Sequence, residues 1–144
     1  MVAIARSVQN QVFAQLLEER PYEGCGLLAG RNGQLERAYP TPNKAESAVR
    51  YEIDPKELLR VFREIDDADL ELLAIYHSHT HTQAFPSPTD IRFAHYPDAY
   101  YIIVTLMDIR GPAMRAFKII DGEVSEYPVE VIEDLDPASE SLAS

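Results

Sequence analysis

Tryptophan is absent, cysteine occurs once, and thirteen lysines and arginines face twenty-four aspartates and glutamates. With Cys25 as the only thiol, an internal disulfide is impossible, which fits a reducing compartment. No apolar run approaches the roughly 20 residues that a membrane-spanning helix requires. The opening Met1-Val-Ala-Ile-Ala-Arg-Ser7 is too short an apolar stretch for a secretory signal, so the cytoplasm is the expected location. Basic clusters are missing as well. The formal net charge is -11, and no lysine or arginine follows Lys118. That balance argues against nucleic acid or an anionic membrane as partner and leaves a basic or neutral protein partner open.

What is present suits one soluble domain. The hydrophobic fraction of 46% and the charged fraction of 26% are ordinary for a globular chain of 144 residues. The pattern predicts a first helix capped by Ser7 and running to about Arg20, with Val8, Val12, Phe13, Leu16 and Leu17 on one stripe. Pro21 ends it. Cys25 to Ala29 forms a short apolar run, and Arg31-Asn-Gly-Gln34 is a hairpin signal leading into Leu35 to Tyr39. Residues 40 to 50 carry two prolines and mixed charges and are expected to form a loop. Asp54-Pro55-Lys56-Glu57 is a helix start, followed by Leu58, Leu59, Phe62 and Ile65 as the buried stripe.

Leu70 to His77 is expected to be a buried strand, with a short helix beginning near Ser87-Pro88. Ala99 to Leu106 is a strongly apolar strand. Ala113 to Ile120 and Glu123 to Val131 flank the hairpin dipeptide Asp121-Gly122. The order of elements predicts a single α/β domain over residues 1–132, a mixed, largely antiparallel sheet flanked by helices. Residues 133–144 are small, polar and acidic and are expected to be a disordered tail.

The chemistry is concentrated between Tyr76 and Asp90, which holds three of the four histidines. His77 and His79 are one residue apart, so an extended backbone puts both imidazoles on one face. The Phe85-Pro86-Ser87-Pro88 segment must bend, which lets Asp90 return as a third ligand. Two imidazoles and a carboxylate leave one tetrahedral position for water, as in a catalytic rather than a structural zinc site. Such an ion lowers the pKa of its water to about 7. Two rival readings stay open. His81 continues the alternation and would give a three-histidine site on an unbroken strand. Ser87-Pro-Thr-Asp90 is also a helix capping box. Ser78, between the two histidines, faces the other side of the strand. Cys25 invites a thiol-protease reading, against which stands a buried apolar role. His95 has no partner at ligand spacing.

Glu23, then His77-x-His79, seven residues, Ser87, two residues and Asp90, resembles the signature of the JAMM (MPN+) metalloproteases. Glu23-Gly-Cys-Gly-Leu-Leu-Ala-Gly30 and Ile75-Tyr-His-Ser-His-Thr80 are similar to that family as well, and the resemblance covers roughly residues 3 to 130. It implies the JAMM/MPN, cytidine-deaminase-like fold, with zinc (Zn2+) on His77, His79 and Asp90. It further implies Glu23 as general base and acid and Ser87 as the hydrogen-bond donor to the oxyanion. JAMM enzymes cleave amide or isopeptide bonds after the diglycine tail of ubiquitin-like proteins. Asn43, Tyr51, Ala68-Asp69, Pro97-Asp98-Ala99 and Ile120-Asp-Gly122 resemble small bacterial members that release cysteine from a ubiquitin-like sulfur-carrier protein. The alternatives are an isopeptidase with lysine leaving groups and a non-catalytic MPN scaffold; the intact set of five residues speaks against the scaffold.

Overall fold

The computed structural model describes residues 1–134. In chain order the elements are β1 (Val2–Ala5), α1 (Arg6–Glu18), β2 (Cys25–Arg31), β3 (Gln34–Thr41), α2 (Pro55–Asp67) and β4 (Glu71–His79). There follow α3 (Pro88–Arg92), β5 (Tyr100–Thr105), β6 (Ala113–Ile120), β7 (Glu123–Tyr127) and β8 (Val129–Ile132). The strands form one sheet in the order β7-β6-β5-β4-β2-β3-β1-β8. The β2–β3, β2–β4, β5–β6 and β6–β7 pairs are antiparallel, whereas β1–β3, β1–β8 and β4–β5 are parallel. The expected mixed, largely antiparallel sheet flanked by helices is borne out.

Both hairpins form where the dipeptides signalled them. Asn32 and Gly33 have φ of 53° and 74°, and Asp121 and Gly122 have 51° and 79°. Two successive positive φ values match the right-handed twist of the flanking strands, which is why Asn-Gly and Asp-Gly are favoured there.

Alternation along the strands sorts the core into two faces. Leu28, Leu35, Ala38, Ala74, Tyr76, Ile102 and Val104 pack with Val8, Val12 and Leu16 of α1. Leu27, Ala29 and Tyr39 take Val61 and Ile65 of α2 on the opposite face. Ile75 belongs to that second face, so His77 and His79, two and four residues on, point the same way. The predicted stripe of α2 needs one correction: Leu59 is 56% exposed and Val61 is buried. Leu58, Val61, Phe62 and Ile65 follow the 3.6-residue period, and Leu59 lies just off that stripe.

At the chain ends one element is new and two expectations change. The first four-residue stretch is a strand, β1, which the sequence did not signal because its order comes from two distant partners, β3 and β8. Helix α1 then starts at Arg6 with Ala5 in the cap position, so Ser7 is not the cap. The Ser7 amide and hydroxyl instead donate to Asp134, at 2.8 and 2.6 Å, while Arg6 bonds Glu133. The cap is thus supplied from the far end of the chain. The strand expected from Glu123 to Val131 breaks at Pro128, which has no N–H for a ladder, into β7 and β8 at opposite ends of the sheet. Of the expected acidic tail, residues 135–144 lie outside the described residues.

Sheet packing leaves no room at Gly26. A Cβ there would overlap the Tyr76 phenol and stand 2.6 Å from the Tyr39 carbonyl oxygen. Gly26→Ala is therefore expected to lower unfolding free energy by about 1–3 kcal/mol, the range for an overpacked core. Urea denaturation followed by circular dichroism checks this; an unchanged midpoint would contradict the close approach.

Candidate metal centre and its proton acceptor

Register decides which side chains meet. Strands β2 and β4 pair with Cys25 opposite His77. Carried two residues past the end of β2, the same register sets Glu23 beside His79. Ser78 locks this arrangement from the other face of β4. Its hydroxyl accepts from the Gly24 amide at 2.8 Å, and its own amide donates to the Gly24 carbonyl at 3.0 Å. Ser78 thus faces the other side of the strand, as expected, and from there supports the β2–β4 pairing. Strand β4 ends at His79, so His81 leaves the line of the other two histidines and is exposed.

Asp90 arrives from α3, and its helix cap aims it. The Asp90 amide donates to Ser87 Oγ at 3.0 Å, and the Ser87 amide donates to Asp90 Oδ2 at 2.9 Å, a complete capping box. Cap and cluster are thus not rivals, because the same Oδ2 lies 2.9 Å from His79 Nε2 and 3.2 Å from His77 Nε2. The two Nε2 atoms are 3.2 Å apart. His79 Nδ1 lies 2.8 Å from the Gln83 carbonyl oxygen, which holds the proton on Nδ1 and leaves the Nε2 lone pair facing the cluster.

Three buried lone-pair donors within 3.2 Å of one another are a good fit to a divalent cation. Ligands about 2.0–2.1 Å from a tetrahedral zinc are separated by about 3.3 Å, close to the spacings found here. Among the described residues this is the cluster of histidine and carboxylate groups able to hold an ion, and His81 and His95 are not in it.

The electrostatics follow from burial and mutual contact. Burial would raise the Asp90 carboxyl, but His77, His79 and the Ser87 amide hold it well below the usual range. His77, fully enclosed, is lowered by burial despite Asp90. For His79 burial acts downward but is outweighed by Asp90 and the Gln83 carbonyl, so the net shift is upward. Glu23 is buried, its Oε1 has no hydrogen-bond partner, and burial pushes its carboxyl up to about 8. An unpartnered carboxylate poised near neutrality beside the cluster can both accept and return a proton.

Some contributions carried no stated role in the sequence, where Asn43 and Tyr51 stood out only by resemblance. His77 Nδ1 is buried without a partner, and the ring is held instead by Tyr51, stacked at 4.3 Å between centroids and 22° between planes. Asn43 organises the loop that carries Tyr51: its amide donates to the Glu23 and Arg50 carbonyls and its oxygen accepts from Ala45 and Glu52, all at 3.0 Å. A backbone carbonyl such as Gln83 O leaves no trace in a residue pattern. Cys25 is fully buried, and burial pushes its thiol up to about 12, which removes the thiolate a cysteine protease needs.

Comparison with known proteins gives a consistent outcome. The family described as "Prokaryotic homologs of the JAB domain" matches residues 5–120. The CysO-cysteine peptidase of Mycobacterium tuberculosis is 40% identical over 135 residues, 92% of either chain. A Thermus thermophilus protein named "Probable TtuB-protein conjugate cleaving protease" is 39% identical over 83% of this chain and 77% of its own. The solution structure of a Desulfitobacterium hafniense protein superposes with a TM-score of 0.87 at 31% identity, covering 94% of this chain and 96% of that one.

The raised Glu23 carboxyl carries a stability signature in the metal-free protein. Because the folded value, about 8, lies above the ordinary 4.5, this group's contribution is fully present below pH 4.5 and is lost as pH rises through 8. Glu23→Gln stays neutral throughout. With chelator present, its Tm advantage over the parent chain is expected to be small at pH 4.5 and to grow toward pH 8.5. Scanning calorimetry across that range checks it; a constant difference would show that Glu23 is not held neutral by burial.

Proposed function

Because the chain belongs to the JAMM family and is a hydrolase of that metallopeptidase type, we propose that it uses zinc to free cysteine from a ubiquitin-like sulfur-carrier protein. The bond cleaved is the amide after the carrier's diglycine C-terminus. The observation that carries this reading is the convergence of His77 Nε2, His79 Nε2 and Asp90 Oδ2 beside the unpartnered Glu23 carboxyl. His77, His79 and Asp90 are the zinc ligands. A zinc ion so held supplies Lewis acidity, bringing a water's pKa to about 7 and polarising a carbonyl.

The chain's own groups account for the remaining steps. Glu23 takes a proton from the attacking water and passes it to the departing amine nitrogen, so the carrier regains its carboxylate and the amine leaves neutral or protonated. Ser87 uses its oxygen lone pair for the α3 cap, which leaves its O–H to donate to the developing oxyanion. Stacking by Tyr51 and the Gln83 carbonyl keep the two imidazoles from turning away.

Similarity over 92% of both chains to a CysO-cysteine peptidase supports cysteine as the leaving group. Similarity to the Thermus TtuB-conjugate protease favours a second reading, an isopeptidase that releases lysine-linked modifiers. In both readings the carrier tail is bare backbone, so the groove must recognise peptide groups and exclude Cβ atoms. Residues 43–52, fastened to Glu23 by Asn43, are suited to line it.

Metal analysis should find one zinc per chain. Asp90→Ala should lose it, whereas His81→Ala should retain it, and the reverse pattern would restore the three-histidine site. Glu23→Gln should keep its zinc while turnover falls about 10²- to 10⁴-fold; near-normal turnover would remove Glu23 from its role. Replacing the carrier's last glycine by valine should sharply reduce cleavage, read by mass spectrometry of the products. Equal cleavage of both tails would mean a nonspecific peptidase.

A further inference from the structure

Two depressions open near the segments that carry the site, and their chemistry differs. One, ≈ 360 Å³, is bordered by Asp90 and lined by Tyr51, Ile53, Phe93, Tyr96 and Tyr101. The cation at its rim, Arg50, lies 3.9 Å from the Glu52 carboxylate and is partly neutralised. The other, ≈ 460 Å³, is lined by Arg20, Pro21, Thr80, His81, Leu106 and Ile109. Both of its walls adjoin site residues along the chain, and its Leu106 bonds the His79 carbonyl. Thr80 and His81 follow His79, and Arg20-Pro21 leads into Glu23 two residues later.

We propose that this second depression receives the α-carboxylate of the amino acid on the leaving side of the scissile amide, with Arg20 as the charged partner. The proposal rests on the amide-hydrolase reading above and makes its leaving group specific.

Five of the thirteen lysines and arginines have a carboxylate within 4.0 Å among the described residues; Arg20 belongs to the other eight, and of these it is the one that lines this depression. Arg6, Arg60 and Arg115 each have a carboxylate within 2.8 Å. Arg20 has none within 4.0 Å among the described residues. Its Nε donates to the Leu17 carbonyl at 3.1 Å, which fixes the stem at the end of α1. The two terminal nitrogens have no partner among the described residues and present the fork that fits a carboxylate.

The facing wall is equally fixed. Thr80 Oγ1 donates to the Ala48 carbonyl at 3.3 Å and so accepts from His81 Nδ1, 2.8 Å away, which orients the ring. The Leu106 amide bonds the His79 carbonyl at 3.0 Å, and Thr105 Oγ1 bonds the Thr82 carbonyl at 2.7 Å. The backbone after the ligands is therefore pinned to the end of β5.

The leaving groups differ in what they offer this wall. A free amino acid joined through its α-amine carries a carboxylate two bonds from the scissile nitrogen. A lysine joined through its ε-amine carries no charge there, and its α-carbonyl is far along the side chain and already in a peptide bond. An arginine at this place favours the first and gains nothing from the second. Hydrolysis breaks only the C–N bond, with water as co-reactant, so the carboxylate is untouched and serves as a handle.

The test compares three conjugates of one diglycine-ended ubiquitin-like protein: to cysteine, to cysteinamide and to lysine through Nε. The wild-type chain is expected to cleave the cysteine conjugate with a kcat/KM about ten- to hundredfold above the cysteinamide conjugate, the worth of one charge-assisted hydrogen bond. In Arg20→Gln that ratio should fall to about one, with zinc content and Tm unchanged, and Arg20→Lys should recover part of it. A wild-type ratio near one, or a ratio that survives Arg20→Gln, overturns the proposal while leaving the hydrolase reading intact. If the zinc-loaded protein cleaves only the lysine conjugate, the cysteine reading falls and this one falls with it.

Discussion

The antiparallel register between β2 and β4 sets Cys25 against His77, and the Ser78–Gly24 pair of bonds holds it there on the α1 side of the sheet. A slip of one residue would send every side chain of β4 to the other face, turning His77 and His79 toward α1 and Ser78 toward the site. Glu23 stands beside the cluster only because the same ladder extends past the end of β2. One buried hydroxyl on the far face thus specifies the spacing between the Glu23 carboxyl and the two imidazoles without touching any of them.

The site concentrates groups whose burial is unfavourable on its own. His77, His79, Asp90 and Glu23 are all nearly inaccessible to water, and a buried ionised group without a partner is costly. Asp90 offsets its burial by accepting from the Ser87 amide and facing two imidazoles with one oxygen. Glu23 has no such compensation and shifts its proton affinity instead. The two carboxyl groups therefore diverge, one held ionised and one held near neutrality, by environment alone.

Much of this arrangement was legible beforehand because it is local. Hairpins at Asn32-Gly33 and Asp121-Gly122, the Asp54-Pro55 helix start and the Ser87–Asp90 cap each depend on residues within a turn of one another. The exposed Leu59 shows the limit of that locality, since a stripe drawn from apolar residues alone overlooks the helical period. What stayed hidden has distant partners. β1 is a strand because β3 and β8 flank it, and α1 is capped by Asp134 rather than by its own Ser7. At the site, the spacing of His77, His79 and Asp90 brought them together as expected, whereas the carbonyl of Gln83 and the face of Tyr51 act through shape and backbone.

Pro128 joins two strands that lie at opposite ends of the sheet order, so the sheet must curl until β8 reaches β1. During synthesis this delays completion. Everything from β2 to β7 can assemble through neighbouring or near-neighbouring pairs while the chain is still being made. The N-terminal strand has β3 on one side early, but its other side and the amide of Ser7 wait for residues 129–134 to emerge. Contacts between residues separated by 127 positions carry the largest loop-closure cost and slow the final step relative to the rest. A nascent chain of this kind would hold β2 and β4 in register before the N-terminus of its first helix had been fastened.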